Sequence, residues 1–165
     1  MSFLLPFTNC PSFCIRYNEA KGNISLIDLE YSRYTVRGFD WGNHFNAWAG
    51  RECDWSNYPR KSQQNAFLRA YRRRHVDLRK TTVSVEAMRV EARIYGLVSH
   101  VYWALWAILQ AQMSNLDFDF LEYAEARLTR WRQEEHDVMR RAGLIPDKDW
   151  ENYYGEACSD PLGCE

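Results

Sequence analysis

Neither sign of charge dominates this chain. Its 21 Lys and Arg are matched by 22 Asp and Glu, for a net charge of −1. That balance argues against a general nucleic-acid binder, which needs a basic excess. No Cys-x-x-Cys pair and no His/Cys cluster occurs, so zinc has no ligand set. Cys10, Cys14, Cys53, Cys158 and Cys164 are odd in number and irregular in spacing, which predicts free thiols in a reducing compartment. The opening residues, MSFLLPFTNCPSFC, hold a short apolar run with no basic region before it and Pro6 inside it, a poor secretory signal. Internal repeats and low-complexity tracts are absent. Charge is missing altogether from Ile94 to Leu116, a length able to cross a bilayer. Ser99, His100, Gln110, Gln112, Ser114 and Asn115 lie within that run, and polar groups are expensive in lipid. The expectation is a buried helix of a soluble protein, with no membrane span.

What is abundant is aromatic surface. Rings make up 15% of the 165 residues, with seven Trp. The length suits one domain with a real core, and that much ring surface requires a large core, a ligand pocket or a partner. Two β-like runs, Phe13–Tyr17 and Ile24–Leu29, flank the polar turn Asn18–Asn23, a hairpin signal. After Gly38 the spacing becomes helical, with Phe39, Trp41, Phe45, Trp48 and Ala49 inward and Gly50 as the stop. A polar loop from Arg51 to Arg60 precedes a helix over Lys61–Arg74, with Phe67, Leu68 and Tyr71 inward and a basic end at Arg69, Arg72, Arg73 and Arg74. The simplest role for those arginines is a solvated face at a helix C-terminus; phosphate contact is the other reading. Ser84 is placed to cap a long helix with Ala87, Val90, Ile94, Leu97, Val101 and Leu105 as its core stripe. A last helix starts near Asp119 and runs through Leu121, Ala124, Leu128, Trp131 and Val138 to Gly143. The predicted architecture is mainly α with a short β-hairpin.

The chemistry concentrates at the end of the second strand, where Asp28 and Glu30 alternate with apolar residues. Carboxylates on a buried strand are costly unless they meet a cation or hydrogen-bond donors. Magnesium, which takes hard oxygen ligands and phosphate oxygens, is a natural partner. Taken alone, Asp-x-Glu is more simply a strand end whose acids pair with Arg33 or Arg37. The surrounding sequence shifts that balance. IDLEYSRYTVRGFDWGNHFNAWAG closely resembles the choline/ethanolamine kinase pattern I-D-[FL]-E-Y followed by Y-x-x-R-[GA]-F-D-[IL]-G-N-H-F. SHVYWALWAILQAQMSNLDFDFLEYAEAR, Ser99 to Arg127, is similar to that family's later block, H-x-x-W-[GA]-L-W-[SA]-[IL]-[LV]-Q-A and then F-x-[FY]-[LM]-[ED]-Y-A-x-x-R. The likeness runs from about Tyr17 to Arg132.

The resemblance implies the C-terminal lobe of a protein-kinase-like α/β fold over residues 17–143, with residues 1–16 unassigned and 144–165 a polar, flexible tail. It implies Mg2+ and ATP as cofactors, choline or ethanolamine as substrate, and a cytoplasmic location. By match to the motif, Asp28 would hold the metal and Glu30 would assist. Arg37, Asp40, Asn43 and His44 would brace the loop beneath the site. Tyr31, Trp103, Trp106, Phe118 and Tyr123 fall on positions that line the family's amine pocket, where ring faces attract a quaternary ammonium. Without the family, these rings read as core packing.

Two departures qualify that reading. Where the family has an acid in N-H-F-x-E, this chain has Ala47, which weakens attraction for an ammonium. Lacking N–H donors, choline would suffer less from that loss than ethanolamine, whereas Asn46-Ala-Trp-Ala-Gly50 looks more like the ethanolamine branch. The catalytic base of the family sits in an H-N-D-x-x-x-x-N motif ahead of the acidic strand. Here that stretch reads PFTNCPSFCIRYNEAKGN, without His-Asn-Asp, a Gly-rich loop or an ATP-pairing Lys. His75-Val76-Asp77-Leu78 superficially suggests such a loop, but it follows the acidic strand and has Thr82 where Asn is required. The expectation is a partial kinase, from a partial gene product or a gene model begun at a late Met, inactive alone and prone to pair with itself or a full-length relative. The alternative is a non-catalytic module that binds an amine or a kinase partner.

Overall fold

The computed structural model describes residues 5–7, 15–26, 33–75 and 82–145. Within them run β1 (Leu5–Phe7), β2 (Ile15–Asn18), β3 (Asn23–Leu26), β4 (Arg33–Thr35), α1 (Arg37–Ala47), α2 (Lys61–Arg74), α3 (Val85–Met113) and α4 (Phe120–Arg141). β2 and β3 form the expected hairpin, with Tyr17 opposite Ile24 and Asn18 opposite Asn23. Its turn is set by Gly22 at φ +60°, and Asn18 Oδ1 accepts the Lys21 N–H at 3.1 Å. β1 and β4 pair antiparallel outside that hairpin, Leu5 opposite Thr35. Neither was expected. Three-residue strands carry too little alternation to be read, and only pairing between distant segments reveals them.

The helices start and stop where local chemistry dictates. Gln63 Oε1 takes the Arg60 N–H at 2.8 Å as α2 begins. Ser84 Oγ accepts the Ala87 N–H at 3.0 Å at the start of α3, and Asp119 Oδ1 accepts the Glu122 N–H at 2.8 Å at the start of α4. Gly143, at φ +69°, closes α4: its N–H reaches the Arg140 carbonyl and the Leu144 N–H reaches that of Met139, at 2.9 and 3.0 Å.

α3 is the spine. Its first half packs with α1 and α2 around Trp41, Phe45, Leu68, Met88 and Ala92. Its second half packs with α4 around Ala104, Ala107, Phe120 and Ala124. The buried stripe of α3 is Met88, Ala92, Gly96, Ser99, Trp103 and Ala107, with Leu97 and His100 beside it. Of the stripe expected from apolar spacing, Leu97 is buried, but the two ends of the stripe turn outward. Ala87 is exposed and Leu105 is 59% exposed, because the contact row is built of small residues that let backbones approach. Trp48 and Leu121 also face outward. Trp48 lies just past the end of α1, and Phe120 takes the inward position at the start of α4.

By length and composition, α3 is the one helix among the described residues able to cross a membrane. One side of it is packed against α1, α2 and α4, while Val98, Leu105, Leu109 and Met113 lie on its outward side.

The crossing of α1 on α3 turns on Gly42. A Cβ there would collide with the backbone of Ala92 and Gly96. Gly96, directly opposite, has room: its Cβ would sit 3.7 Å from Asn46 Nδ2. Gly42→Ala should therefore cost about 2 kcal/mol or more in urea unfolding, since backbone cannot yield as a flexible side chain does. Gly96→Ala should be neutral or slightly stabilising through helix propensity. Equal effects of the two substitutions would remove the close crossing as their cause.

Candidate functional site

α1 ends in a tight reversal. Gly50 adopts φ +69° and Cys53 φ +52°, a left-handed conformation that a non-glycine residue adopts only when its surroundings impose it. The Asp54 N–H returns to the Ala49 carbonyl at 2.9 Å, and Asp54 Oδ1 accepts from the Ser56 N–H and hydroxyl at 3.1 and 2.7 Å. This turn brings Arg51 and Glu52 against the start of α4. A cleft of about 280 Å³ opens there, lined by Arg51, Glu52, Phe118, Asp119, Glu122 and Tyr123.

Three carboxylates and two rings make this a place for a cation. One is present: the Arg51 guanidinium carbon lies 4.6 Å from the centre of the Phe118 ring. Burial pushes the Tyr123 hydroxyl and the Cys53 thiol up, so both stay neutral near pH 7. Behind the cleft is Arg127, 2% exposed. Its Nη2 donates to the Ser99 carbonyl and hydroxyl at 3.3 and 3.1 Å, and its guanidinium lies 5.6 Å from the Trp55 ring and 5.8 Å from that of Tyr123. Among the described residues no carboxylate pairs with it. Ring faces and one backbone carbonyl carry its charge instead.

Four of the rings singled out in the sequence, Trp103, Trp106, Phe118 and Tyr123, form a continuous ladder with Phe120, and only part of it reaches the cleft. Trp103 meets Trp106 at 5.4 Å, Trp106 meets Phe120 at 5.8 Å, Phe120 meets Phe118 at 4.9 Å, and Phe118 meets Tyr123 at 5.8 Å. Phe118 and Tyr123 line the cleft; Trp103 and Trp106 stand behind it. Trp103 is buried, and its Nε1 donates to Asn43 Oδ1 at 2.6 Å. Asn43 Oδ1 also accepts from Ser99 Oγ at 2.8 Å. Arg37 pairs with Glu91 through two nitrogens, at 3.0 to 3.3 Å. His44 stacks on Phe67 at 4.6 Å, and burial lowers its pKa. Burial raises the Asp40 carboxyl to about 7.

Asp28, Glu30 and Tyr31 lie outside the described residues. Among the described ones, no group of three or more His, Cys, Asp and Glu is arranged to hold a metal. Sequence reasoning missed Arg51 and Glu52, which sit in a loop without period. It placed Asp119 correctly as a helix-start acid without seeing that the same turn faces a cleft.

The described helices thus enclose a cleft of two rings and three acids in which one cation, Arg51, already lies on a ring face. The protein-family model described as choline/ethanolamine kinase matches residues 9–132. A probable ethanolamine kinase of Arabidopsis thaliana is 42% identical over 117 residues, 71% of this chain and 31% of that protein. Human ethanolamine kinase 1 is 39% identical over 123 residues, 71% of this chain and 27% of its own length. In structure, the chain is similar to a Plasmodium vivax ethanolamine kinase, with a TM-score of 0.64 and 33% identity over 78% of this chain and 33% of that one. The chain belongs to the choline/ethanolamine kinase family, and its fold is the helical lobe of a protein-kinase-like enzyme. It spans about a third of the length of the curated relatives it matches.

His100 provides a pH test of this packing. Burial, with Arg127 and Arg130 nearby, holds its pKa at about 2, against an ordinary 6.5. The unfolded chain therefore binds a proton that the folded one refuses between those values, and stability falls as pH drops below about 6.5. Urea unfolding at neutral pH and in mild acid should show a loss for the native chain exceeding that of His100→Phe by roughly 1–3 kcal/mol. Equal losses would show that His100 is not held neutral.

Proposed function

We propose that this chain is the amine-binding part of an ATP-dependent ethanolamine or choline kinase, with ethanolamine preferred. The cleft carries the reading: Tyr123 offers a ring face, Phe118 a second that Arg51 now covers, and Glu52, Asp119 and Glu122 outnumber Arg51 in charge. A primary ammonium gains from both, because its N–H groups can donate to carboxylates; a quaternary ammonium gains only from rings and field. Glu52 supplies a carboxylate to a chain whose motif has Ala47 in place of the family acid. The matched relatives named above are all ethanolamine kinases, which supports the same preference.

Magnesium and ATP belong to the proposal through the family. Asp28 would hold the metal with Glu30 assisting, and the ion would supply positive charge to offset the negative charge developing in phosphoryl transfer. The stretch before β3 in these 165 residues has no His-Asn-Asp to position the substrate hydroxyl. The chain by itself is therefore expected to bind amine without transferring phosphate, as a cytoplasmic protein of phospholipid headgroup synthesis.

Titrating ethanolamine and choline by tryptophan fluorescence tests the binding half. Ethanolamine should bind more tightly, and Glu52→Gln should weaken it about threefold to tenfold while changing choline less, as expected for one partly solvated ionic contact. No signal with either amine at millimolar concentration would sink the assignment of the cleft. Phosphorylated product on adding Mg-ATP would overturn the claim that the chain alone does not turn over.

A further inference from the structure

The other end of α3 carries a feature that amine phosphorylation does not use. Arg69, Arg72 and Arg73 stand at i, i+3 and i+4 on α2, so they share one face. Together with Val85, at the first turn of α3, they line a groove of about 340 Å³. Val83 and Val85 pack on the core cluster of Trp41, Phe45 and Leu68, so the groove wall is anchored.

Other arginines have partners at hand: Arg37 pairs with Glu91, Arg93 with Asp137 and Arg130 with Glu134, while Arg51 and Arg127 lie against rings. Arg69, Arg72 and Arg73 have no such partner among the described residues. Glu86, in the first turn of α3, is engaged by Arg89. The sequence intensifies the imbalance with Arg74, Arg79 and Lys80 against the single acid Asp77, in a chain whose net charge is only −1. Three like charges crowded on one helix face destabilise it unless a counter-anion sits between them. Planar guanidinium groups meet phosphate oxygens two at a time, which makes an arginine-lined groove fit a phosphate group better than a carboxylate or halide.

We infer that this groove is a phosphate-binding site, taking a phosphomonoester either free in solution or as a lipid headgroup at a membrane surface. It lies at the opposite end of α3 from the amine cleft and stands or falls independently of it.

The probes are glycerol 3-phosphate, a soluble phosphomonoester, followed by calorimetry, and phosphatidylcholine vesicles with and without phosphatidic acid, followed by co-sedimentation. The native chain is compared with R69Q/R72Q/R73Q and with K21Q/K61Q/R132Q, which removes the same charge elsewhere. Binding should fall about a hundredfold in the first variant, survive in the second, and weaken with salt. Binding to glycerol 3-phosphate alone assigns a free phosphate ester; binding to phosphatidic acid vesicles, but not to phosphatidylcholine alone, assigns a headgroup. If the triple variant melts early, R69Q/R73Q, both exposed positions, replaces it with an expected loss of about thirtyfold. The inference is overturned if the native chain binds neither probe, or if both charge-removal variants weaken binding equally.

Discussion

The structure depends on how closely α1 and α3 approach one another. Gly42 lies against the backbone of Ala92 and Gly96, with no space for a further carbon. Only at that separation does Asn46 reach the Gly96 carbonyl, at 2.9 Å. One turn further along, Asn43 meets Ser99 and Trp103. Ser99 passes the connection to Arg127 of α4, so one buried run of polar contacts ties three helices together. The network is not fully satisfied, since Asn43 Nδ2 and Arg127 Nε are buried without a partner, so its role is to fix the register of the three helices rather than to add much stability.

The cleft inherits its shape from that junction. Arg127 approaches Tyr123 and Trp55 from behind, and Tyr123 presents its ring at the front. The turn at Gly50 and Cys53 delivers Arg51 and Glu52 to the same place from α1. A buried guanidinium supported by ring faces and a carbonyl sits close to a cation-accepting cleft. The acids at its mouth, Glu52, Asp119 and Glu122, would offset that repulsion for the ammonium proposed to bind there. Arg51 over Phe118 shows the ring face already serving as a cation seat.

Much of the fold was legible because its signals are local. Ser84 and Asp119 cap helices through their own side chains, and Gly143 ends one through its left-handed backbone. α2 spans the residues that apolar spacing assigned to it. The inward face of α3 was not legible in the same way. Leu105 looks like core by hydropathy and is exposed, whereas Gly96 and Ser99 look unremarkable and are buried. Hydropathy ranks side chains by size and apolarity, but a close helix crossing selects the smallest. β1 and β4 escaped for a related reason, since a three-residue strand is defined by its partner. In the candidate site, Phe118 and Tyr123 were found through the motif they belong to, while Arg51 and Glu52 carry no pattern of their own.

Pattern and motif alone pointed to the family this chain belongs to and to where its helices begin, and they proposed which rings and acids serve chemistry. Those are properties of neighbouring residues and of runs long enough to exclude chance. Tertiary structure decided which of those rings face a cleft, that Trp103 is committed to Asn43, and that Arg127 is enclosed behind Tyr123. It also decided that three arginines converge on one groove at the start of α3. The reason is geometric: a side chain's role depends on what approaches it from distant parts of the chain, and that approach follows from the backbone contact at Gly42 and the buried network built upon it.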